Sequence, residues 1–335
     1  MRVGESAMEI LFLNQEEVAG LLNMKDTLKA VEDAFREKGR GNVQMPPKVY
    51  LYYEKHGGDL RVMPSYMERV EKSGVKIVNV HPNNPSKGLP TVMAVITLVD
   101  PTTGAPMAVM DGTLITAFRT GAGSGVATKY LAKKDSRILG LVGAGGQAYS
   151  QLEAITEVTP ITDVRVWSRH KDTAQRFIKN VEGRFNLNFN AVDSVEACVR
   201  DSDIITTITP SREPIVRDEW VELGAHINAI GADAPGKQEL DAKTLKRARI
   251  VVDDWDQACH SGEVNVPLSQ GLLRKEDIYG ELGEIVCGVK KGRESPREIT
   301  IFDSTGLAIQ DVATAWMVYE RAKEKGMGTW LTLFK

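Results

Sequence analysis

The segment RILGLVGAGGQA, Arg137 to Ala148, gives the clearest indication of the fold of this chain. It contains a short apolar run, ILGLV, which predicts a buried strand, and the following letters, QAYSQLEAITEV, predict a helix. Between the strand and the helix the letters read G-x-G-x-x-A. A strand that turns through such glycines into a helix is typical of a dinucleotide-binding βαβ unit.

The loop residues that carry this prediction are Gly143, Gly145, Gly146, Gln147 and Ala148. The first glycine permits a tight turn, the second lets a pyrophosphate approach the backbone, and the small alanine lets the helix pack on the strand. The first turn of the helix offers N–H groups and a positive dipole end to the phosphates. We predict that this loop binds NAD(P)H; an ordinary βα turn is the alternative.

Strand and helix patterns alternate from about Ser136 onward. The runs DVRVWS, DIITTIT, HINAIGA, RIVVDD and EITIFDS each predict a short strand, and segments such as DTAQRFIKNV predict helices. This rhythm is typical of a parallel sheet that is covered on both faces. The predicted class is therefore α/β, with a Rossmann-type doubly wound parallel sheet.

Residues 1–119 have a different, α+β pattern. NQEEVAGLL predicts a helix with Asn14 as its N-cap and Glu17 three residues later. The next helical segment places its apolar residues on one face: Leu28, Val31, Ala34 and Phe35. Strand-like runs follow, and TVMAVITLVDPTTGAPMAVMDG predicts a hairpin that turns at Asp100-Pro101 and Gly104.

The end of the second Rossmann strand indicates the type of cofactor. NAD sites usually carry an acid there to bind the ribose hydroxyls. This chain has Ser168 and Arg169 in WSRHK, with no acid. A hydroxyl beside basic groups suits a 2′-phosphate, so we expect NADP(H). The alternative is that Arg169 stacks on the adenine and that NAD is also accepted.

Polar residues follow two further strands of this predicted sheet. Thr207 and Thr209, in TTITPS, are expected along the nicotinamide side of the cofactor. Asp303 and Ser304 follow a later strand, and we predict that they also contact the cofactor. For both pairs an ordinary loop is the alternative.

A lone acid, Asp233, stands in the loop of INAIGADAPGKQELD, residues Ile227 to Asp241. It follows a strand, at the edge where open α/β sheets bind ligands. Burial would raise its pKa and neighbouring cations would lower it. We predict a proton-transfer role. The alternative is a cap for the next helix, although Glu239 and Asp241 are closer to that helix.

The composition excludes several classes of protein. The chain has 335 residues, a formal net charge of −3 and no apolar run near the ~20 residues of a membrane span. Neither nucleic acid nor a membrane is expected as a partner, and the start does not resemble a signal peptide. Cys198, Cys259 and Cys287 are spaced for neither a zinc site nor a disulfide framework, so we predict no metal and a reducing cytoplasm.

Seven motifs occur in a fixed order along the chain: QMPPKVYL, LRVMPSY, KIVNVHPNNPSKGLPTVMA, AFRTGAGSG, GAGGQA, INAIGADAPGKQELD and FDSTGLAIQD. Together they resemble the ornithine cyclodeaminase/mu-crystallin superfamily, and most closely its archaeal alanine dehydrogenase and Δ1-pyrroline-2-carboxylate (ketimine) reductase branches. The resemblance implies an NAD(P)-binding Rossmann domain over residues 120–312. It also implies a substrate-binding and dimerisation domain built from residues 1–119 and 313–335, and a homodimer.

The resemblance also implies roles for individual residues. Lys48, Arg61 and Arg119 resemble the family's binders of the substrate carboxylate. Lys76 resembles the lysine that contacts the substrate near its reacting carbon, and Asp233 resembles the carboxylate that handles protons there. Lys76 and Asp233 are therefore the predicted catalytic residues.

The implied activity is hydride transfer to C2 of a small imino acid, as in alanine dehydrogenase or Δ1-pyrroline-2-carboxylate reductase. Ornithine cyclodeaminase is one alternative, but those enzymes hold an acid where this chain has Arg61, which would repel the distal ammonium of ornithine. A non-catalytic ligand binder in the manner of mu-crystallin is another. The basic WSRH departs from the alanine dehydrogenase pattern and is similar to that of mu-crystallin.

Overall fold

The computed structural model describes residues 8–334, and it divides into two compact units. The first unit comprises the residues up to Arg119 together with those from Leu307 on, and the second runs from Thr120 to Gly306. The predicted lack of a signal peptide concerns the first residues, which lie partly outside the described range.

The strands within the described residues are, in chain order, β1 (Met8–Leu13), β2 (Val43–Gln44), β3 (Val49–Tyr53), β4 (Gly58–Met67), β5 (Lys72–Val80), β6 (Val92–Val99), β7 (Pro106–Asp111), β8 (Ile138–Val142), β9 (Asp163–Trp167), β10 (Asn188–Ala191), β11 (Ile204–Thr207), β12 (His226–Ala229), β13 (Arg249–Val252), β14 (Ile278–Glu281), β15 (Thr300–Asp303) and β16 (Thr329–Phe334). The α-helices are α1 (Gln15–Leu21), α2 (Met24–Gly39), α3 (Thr113–Leu131), α4 (Gly146–Val158), α5 (Lys171–Val181), α6 (Val195–Val199), α7 (Ala242–Arg247), α8 (Trp255–Ser261), α9 (Asn265–Ser269), α10 (Leu282–Val286) and α11 (Ala308–Lys325).

The first unit is built on a mixed sheet in the order β16-β1-β7-β6-β5-β4-β2, with β3 also paired to β4. Helix α11 packs on the central strands β4, β5 and β6. Side chains alternate across β5, so that Gly74, Lys76 and Val78 are buried while Ile77 is exposed. A lysine therefore stands on the covered face of this sheet.

Local signals in the N-terminal sequence are confirmed. Asn14 caps α1 in a capping box, since its side chain accepts from the Glu17 N–H and Glu17 accepts from the Asn14 N–H. The predicted apolar face of α2 is buried. Strands β6 and β7 form the predicted hairpin, in which the Asp100 carboxylate accepts from Thr102 and Gly104 adopts a positive φ of 77°.

The second unit contains a fully parallel sheet in the order β10-β9-β8-β11-β12-β15-β13-β14. Its central strands β11, β12 and β15 are buried along their whole length, because helices cover both faces. From β8 the chain moves to β9 and β10 on one side and then returns to β11 on the other. Such a reversal is where open α/β sheets bind ligands. The predicted Rossmann-type α/β class is confirmed.

No helix within residues 8–334 is long and apolar enough to span a membrane. The same residues contain no group of three or more His, Cys, Asp or Glu side chains arranged to hold a metal ion.

Candidate active site

The glycine loop has the geometry that close approach of a ligand requires. Gly143 has φ of 120°, and a Cβ on it would lie 2.7 Å from the carbonyl oxygen of Ile208, so only glycine fits. A Cβ on Gly145 or Gly146 would meet no protein atom within 4 Å. Internal packing therefore does not demand glycine at these two positions, whereas a phosphate lying on the backbone would.

A cavity of about 770 Å³ opens beside this loop, within the second unit. Its lining combines the loop after β8, Ser168 and Arg169 after β9, and the segment after β11 that includes Thr209 and Arg212. It thus lies at the carboxyl ends of three strands that meet where the sheet order reverses. Helix α4 begins directly after Gly145, which is its N-cap. The free N–H groups of its first turn therefore lie at this loop. The residues present fit a nicotinamide dinucleotide.

The two predicted threonines have different surroundings. Thr207 is fully buried as the last residue of β11, whereas Thr209 lines the cavity. The Thr209 N–H and hydroxyl each donate to Glu239 Oε1 at 2.7 Å. Glu239 Oε2 accepts from the Gly231 N–H at 3.0 Å, so one buried carboxylate joins the loops after β11 and β12. Burial raises the pKa of Glu239 to about 7.

Asp233 lies in the loop after β12 and is about one-third exposed. Its Oδ1 lies 2.6 Å from Lys237 Nζ. The helix cap in this segment is Asp241, whose side chain accepts from the Lys243 N–H at 2.9 Å. Asp241, and not Asp233, therefore caps the next helix, which was the alternative role predicted for Asp233.

Three further residues predicted to contact the cofactor are Asp303, Ser304 and Gln147. The first two make contacts inside the protein. The fully buried Asp303 accepts from the N–H groups of Glu263 and Val264, and burial raises its pKa to about 7. The Ser304 hydroxyl lies 3.5 Å from Asp253 Oδ2. Gln147 is half-buried in the first turn of α4. Cofactor contact by these three residues stays a prediction.

The buried acids of the second unit form a series at these strand ends. Glu263 accepts from the N–H groups of Glu239 and Leu240, and its own N–H donates to Asp303. Burial raises the pKa of Glu263 well above its ordinary value, and the neighbouring Glu239 raises it further. The segments that follow β12 and β13 and the end of β15 are therefore tied together by buried carboxylates whose pKa values are raised.

The first unit holds a second constellation, centred on Lys76. Lys76 Nζ lies 2.7 Å from Asp311 Oδ2, and both side chains are essentially inaccessible to solvent. Arg119 Nε donates to Asp311 Oδ1 at 2.8 Å, and its Nη1 donates to Gln310 Oε1 at 3.1 Å. One carboxylate at the start of α11 thus holds a cation from β5 and a cation from α3.

The charge on Lys76 is finely balanced. Burial lowers the pKa of Lys76 to about 7, and the cations of Arg119 and Lys48 act in the same direction. The Asp311 carboxylate opposes them. An amine with a pKa near neutrality can both give and take a proton under physiological conditions.

Arg61 and Lys48 lie near the same face of the sheet. Arg61 pairs in register with Val78 of β5, on the buried side that also carries Lys76. Its Nε and Nη2 donate to the two oxygens of Asp59, at 2.9 and 3.1 Å, and its guanidinium lies 5.3 Å from the Tyr50 ring centroid. Lys48 immediately precedes β3 and is close enough to lower the pKa of Lys76.

Residues 8–326 match the model of the ornithine cyclodeaminase/mu-crystallin family. The chain belongs to this family. It is 51% identical over 329 residues to an alanine dehydrogenase of Archaeoglobus fulgidus, covering 98% of this chain and 100% of the relative.

Two solved structures of family members have the same fold over nearly the whole chain. An archaeal alanine dehydrogenase dimer with bound NAD is 52% identical, with a TM-score of 0.93 over 98% of this chain and 100% of that one. The Δ1-pyrroline-2-carboxylate reductase of Thermococcus litoralis, in complex with NADH and L-proline, is 44% identical, with a TM-score of 0.93 over 96% and 99%. The chain is an oxidoreductase of this family that uses a nicotinamide cofactor and acts on a carbon–nitrogen bond.

Sequence reasoning missed three carboxylates that bind predicted site residues in the structure, namely Asp311, Glu239 and Asp59. Asp311 lies in the FDSTGLAIQD motif, but an acid in the first turn of a helix is common and gave no distinct signal. In the sequence, Glu239 is distinguished only as a candidate helix cap. Asp59 had a usable signal, because residues two apart in a strand share a face, and this placed it beside Arg61.

Proposed function

We propose that this chain reduces the C=N bond of a small 2-imino acid at C2. The observation that carries the proposal is the buried cluster of Lys76, Asp311 and Arg119. Two basic groups share one carboxylate there, so the cluster carries an excess positive charge, in a site that excludes water, whenever Lys76 is protonated. A substrate carboxylate would neutralise that charge, and its attraction is far stronger at low dielectric than at the surface.

The substrate carboxylate is proposed to bind Arg119, with Arg61 and Lys48 as further cations. Arginine grips a carboxylate through parallel hydrogen bonds, whereas lysine acts as a point charge. The Arg119 guanidinium is already oriented by Asp311 and Gln310. Such orientation lowers the entropic cost of binding.

When bound, the nicotinamide supplies the hydride that reaches C2. Lys76 is proposed to hold the substrate near that carbon and, with Asp233, to exchange a proton at the substrate nitrogen. The near-neutral pKa of Lys76 supports this role. For Asp233, support comes from its partial exposure and from the fact that Asp241 takes the helix cap.

Alanine formation from pyruvate and ammonia is the first substrate candidate, because the alanine dehydrogenase relative is 51% identical over 98% of this chain. Reduction of Δ1-pyrroline-2-carboxylate to L-proline is the second, supported by the 44% identical reductase solved with L-proline. The deciding experiment compares kcat/KM for cofactor oxidation with pyruvate plus ammonia and with the cyclic imine. Turnover of neither substrate would refute the proposal.

Ornithine cyclodeaminase activity is disfavoured by the charge of the first unit. Lys76 and Arg119, two cations that share the one carboxylate of Asp311, would repel the second ammonium of ornithine, whereas Arg61 adds less repulsion because Asp59 pairs with it. We therefore expect no ammonia release from ornithine in the absence of added reductant. Release at a rate comparable to the reductase activity would restore that alternative.

We infer that NADP(H) is preferred over NAD(H). Ser168 and Arg169 line the cavity where the ribose 2′-position of a dinucleotide is expected, and Arg212 adds a second guanidinium. Replacing Arg169 with alanine should reduce kcat/KM for NADPH by about tenfold or more, because a charge-assisted hydrogen bond is lost, and should leave NADH nearly unaffected. A wild-type preference for NADH would contradict the inference.

A homodimer is proposed, formed through the exposed face of the first unit's sheet. Val49, Val62, Ile77 and Val95 lie in register across β3, β4, β5 and β6. Three of them are 39–57% exposed, which makes a continuous apolar row on the face opposite Lys76. Replacing Ile77 with glutamate should produce monomers in sedimentation analysis, and an unchanged dimer would exclude this surface.

A cytoplasmic location is proposed from the cysteines. All three lie within the described residues and none forms a disulfide. Cys198 is fully buried, and burial raises the pKa of its thiol to about 12, so it is protected from oxidation.

A further inference from the structure

We propose that Asp311 is a positioning residue that sets both the orientation and the protonation state of Lys76. This inference rests on the proposed function, in which Lys76 contacts the substrate. An acid of helix α11 would thus control the charge and position of a lysine on strand β5.

The contacts of Asp311 carry the proposal. Its two oxygens are divided between two cations, Oδ2 at 2.7 Å from Lys76 Nζ and Oδ1 at 2.8 Å from Arg119 Nε. The side chain is fully buried, so water does not compete for either oxygen. A carboxylate so held fixes the separation of the ammonium and the guanidinium, which a flexible lysine stem alone would not do.

The surroundings of Asp311 are themselves fixed. It lies in the first turn of α11, where the helix dipole favours a negative charge. The adjacent Gln310 accepts from the Leu307 N–H at 2.9 Å and from Arg119 Nη1 at 3.1 Å. The Arg119 guanidinium is thus bound through two of its nitrogens to two consecutive residues of one helix turn.

The charged groups that act on Lys76 come from three elements. Arg119 on α3 and Lys48 before β3 favour the neutral amine, and Asp311 on α11 favours the ammonium. The residues paired in register with Lys76 on β4 and β6 are Met63 and Ile96, which do not titrate. Asp311 is therefore the negative charge that keeps Lys76 able to carry a proton near neutral pH.

A purely structural ion pair makes a different prediction from a positioning residue. Loss of a purely structural pair would lower stability and leave the pH profile of kcat/KM in the remaining folded protein unchanged. Loss of a positioning carboxylate would move the titration of Lys76 to lower pH and would move the alkaline limb of kcat/KM with it. The decisive readout is thus the joint movement of the Lys76 midpoint and the kinetic limb, and the midpoint itself does not depend on the identity of the substrate.

The test uses the full-length protein with lysine labelled selectively with ¹³C at Cε, and follows the NMR shift of Lys76 against pH. The Lys76 signal is assigned by its absence from the Lys76→Met variant. In wild type the midpoint is expected near pH 7. In Asp311→Asn it should fall by about 1–3 pH units, as for removal of an opposite charge within hydrogen-bonding distance.

Four further variants complete the test. Glu320→Gln removes an exposed carboxylate from the same helix and should leave the midpoint unchanged. Asp311→Glu retains the charge and should keep the Lys76 midpoint close to the wild-type value. Asp311→Ser repeats the measurement if the asparagine variant does not fold. Arg119→Gln removes a cation and should move the midpoint upward. An unchanged midpoint in folded Asp311→Asn or Asp311→Ser overturns the proposal.

The kinetic consequence separates this proposal from the proposed function. In Asp311→Asn the alkaline limb of the kcat/KM profile should shift to lower pH together with the NMR midpoint. If the midpoint shifts but no imino acid is reduced by wild type, the positioning role stands and the substrate assignment fails. If wild type reduces the substrate and neither quantity shifts in the variant, the positioning role fails alone.

Discussion

Lys76 Nζ and Asp311 Oδ2 lie 2.7 Å apart in a fully buried ion pair that joins β5 to the first turn of α11. Arg119 binds the other oxygen of the same carboxylate. A buried ion pair is weak support for stability on its own, because the desolvation of both charges offsets their attraction. We therefore propose that the two cations around this one carboxylate serve to bind an anion, rather than mainly to stabilise the fold.

The first prediction concerns the pH dependence of activity. The pKa of Lys76 is lowered to about 7, so its ammonium is lost as pH rises through that value. If the ammonium is needed, kcat/KM should fall by about tenfold per pH unit above this limb. Steady-state rates between pH 6 and 9 test this, and a profile that is flat through pH 7–9 would contradict the assignment.

The second prediction concerns Asp233. Asp233→Asn should lower kcat by roughly 10²–10⁴-fold, the range for losing a general acid or base, with little change in cofactor affinity. Asp241→Asn is the matched control, because asparagine caps a helix as well as aspartate does, and its kcat should be unchanged. Near-normal kcat in folded Asp233→Asn would remove this residue from the mechanism.

The third prediction separates two glycines of one loop. Gly145 has an ordinary φ of −79° and open space around it, so Gly145→Ala should fold normally but bind the cofactor about tenfold or more weakly. Gly143→Ala should also lose about 1–3 kcal/mol of stability, because φ is 120° and Ile208 is in the way. Thermal unfolding and cofactor titration measure both effects. Equal cofactor affinity of Gly145→Ala and wild type would argue against a phosphate at this position.

The fourth prediction is a stability effect of Glu239. Burial raises its folded-state pKa to about 7 from 4.5, so between these values the folded protein keeps a proton that the unfolded chain has released. The free energy of unfolding therefore falls as pH rises through this window, by at most about 1.4 kcal/mol per pH unit for this group.

Glu239→Gln cannot titrate and should lack this component of the pH dependence. Urea unfolding at pH 5 and pH 7.5 should show the wild type losing stability relative to the variant as the pH rises. Glu222→Gln, at an exposed position, serves as the control and should follow the wild type. If the free energy of unfolding changes equally between pH 5 and pH 7.5 in wild type and Glu239→Gln, then Glu239 is already ionised at pH 5.

Much of the fold was predictable because its signals are local. The run ILGLV with its glycine loop, and the capping pair Asn14 and Glu17, depend on neighbours a few residues apart. The alternation of strands and helices after Ser136 was sufficient to predict the parallel sheet. Its strand order, with β15 between β12 and β13, depends on packing between distant segments and left no mark in local periodicity.

The candidate site was only partly predictable, for a related physical reason. Lys76 was recognisable through the family motif that contains it, KIVNVHPNNPSKGLPTVMA. Its partner Asp311 was not recognisable, because it lies in a distant part of the chain. Even Arg119, the other cation bound to Asp311, is 192 residues away from it, and these residues meet only after folding. Likewise, nothing in the letters GKQELD distinguished the buried Glu239 from a surface acid.

In the proposed reaction, hydride from the bound nicotinamide goes to C2 of a small imino acid. The most direct measurement uses cofactor carrying deuterium at both C4 positions, with pyruvate plus ammonia or Δ1-pyrroline-2-carboxylate as substrate, and mass spectrometry and NMR of the product. We expect one deuterium at C2 of alanine or of proline. Turnover that leaves C2 without deuterium, or no turnover of either substrate by a folded protein that binds the cofactor, would contradict it.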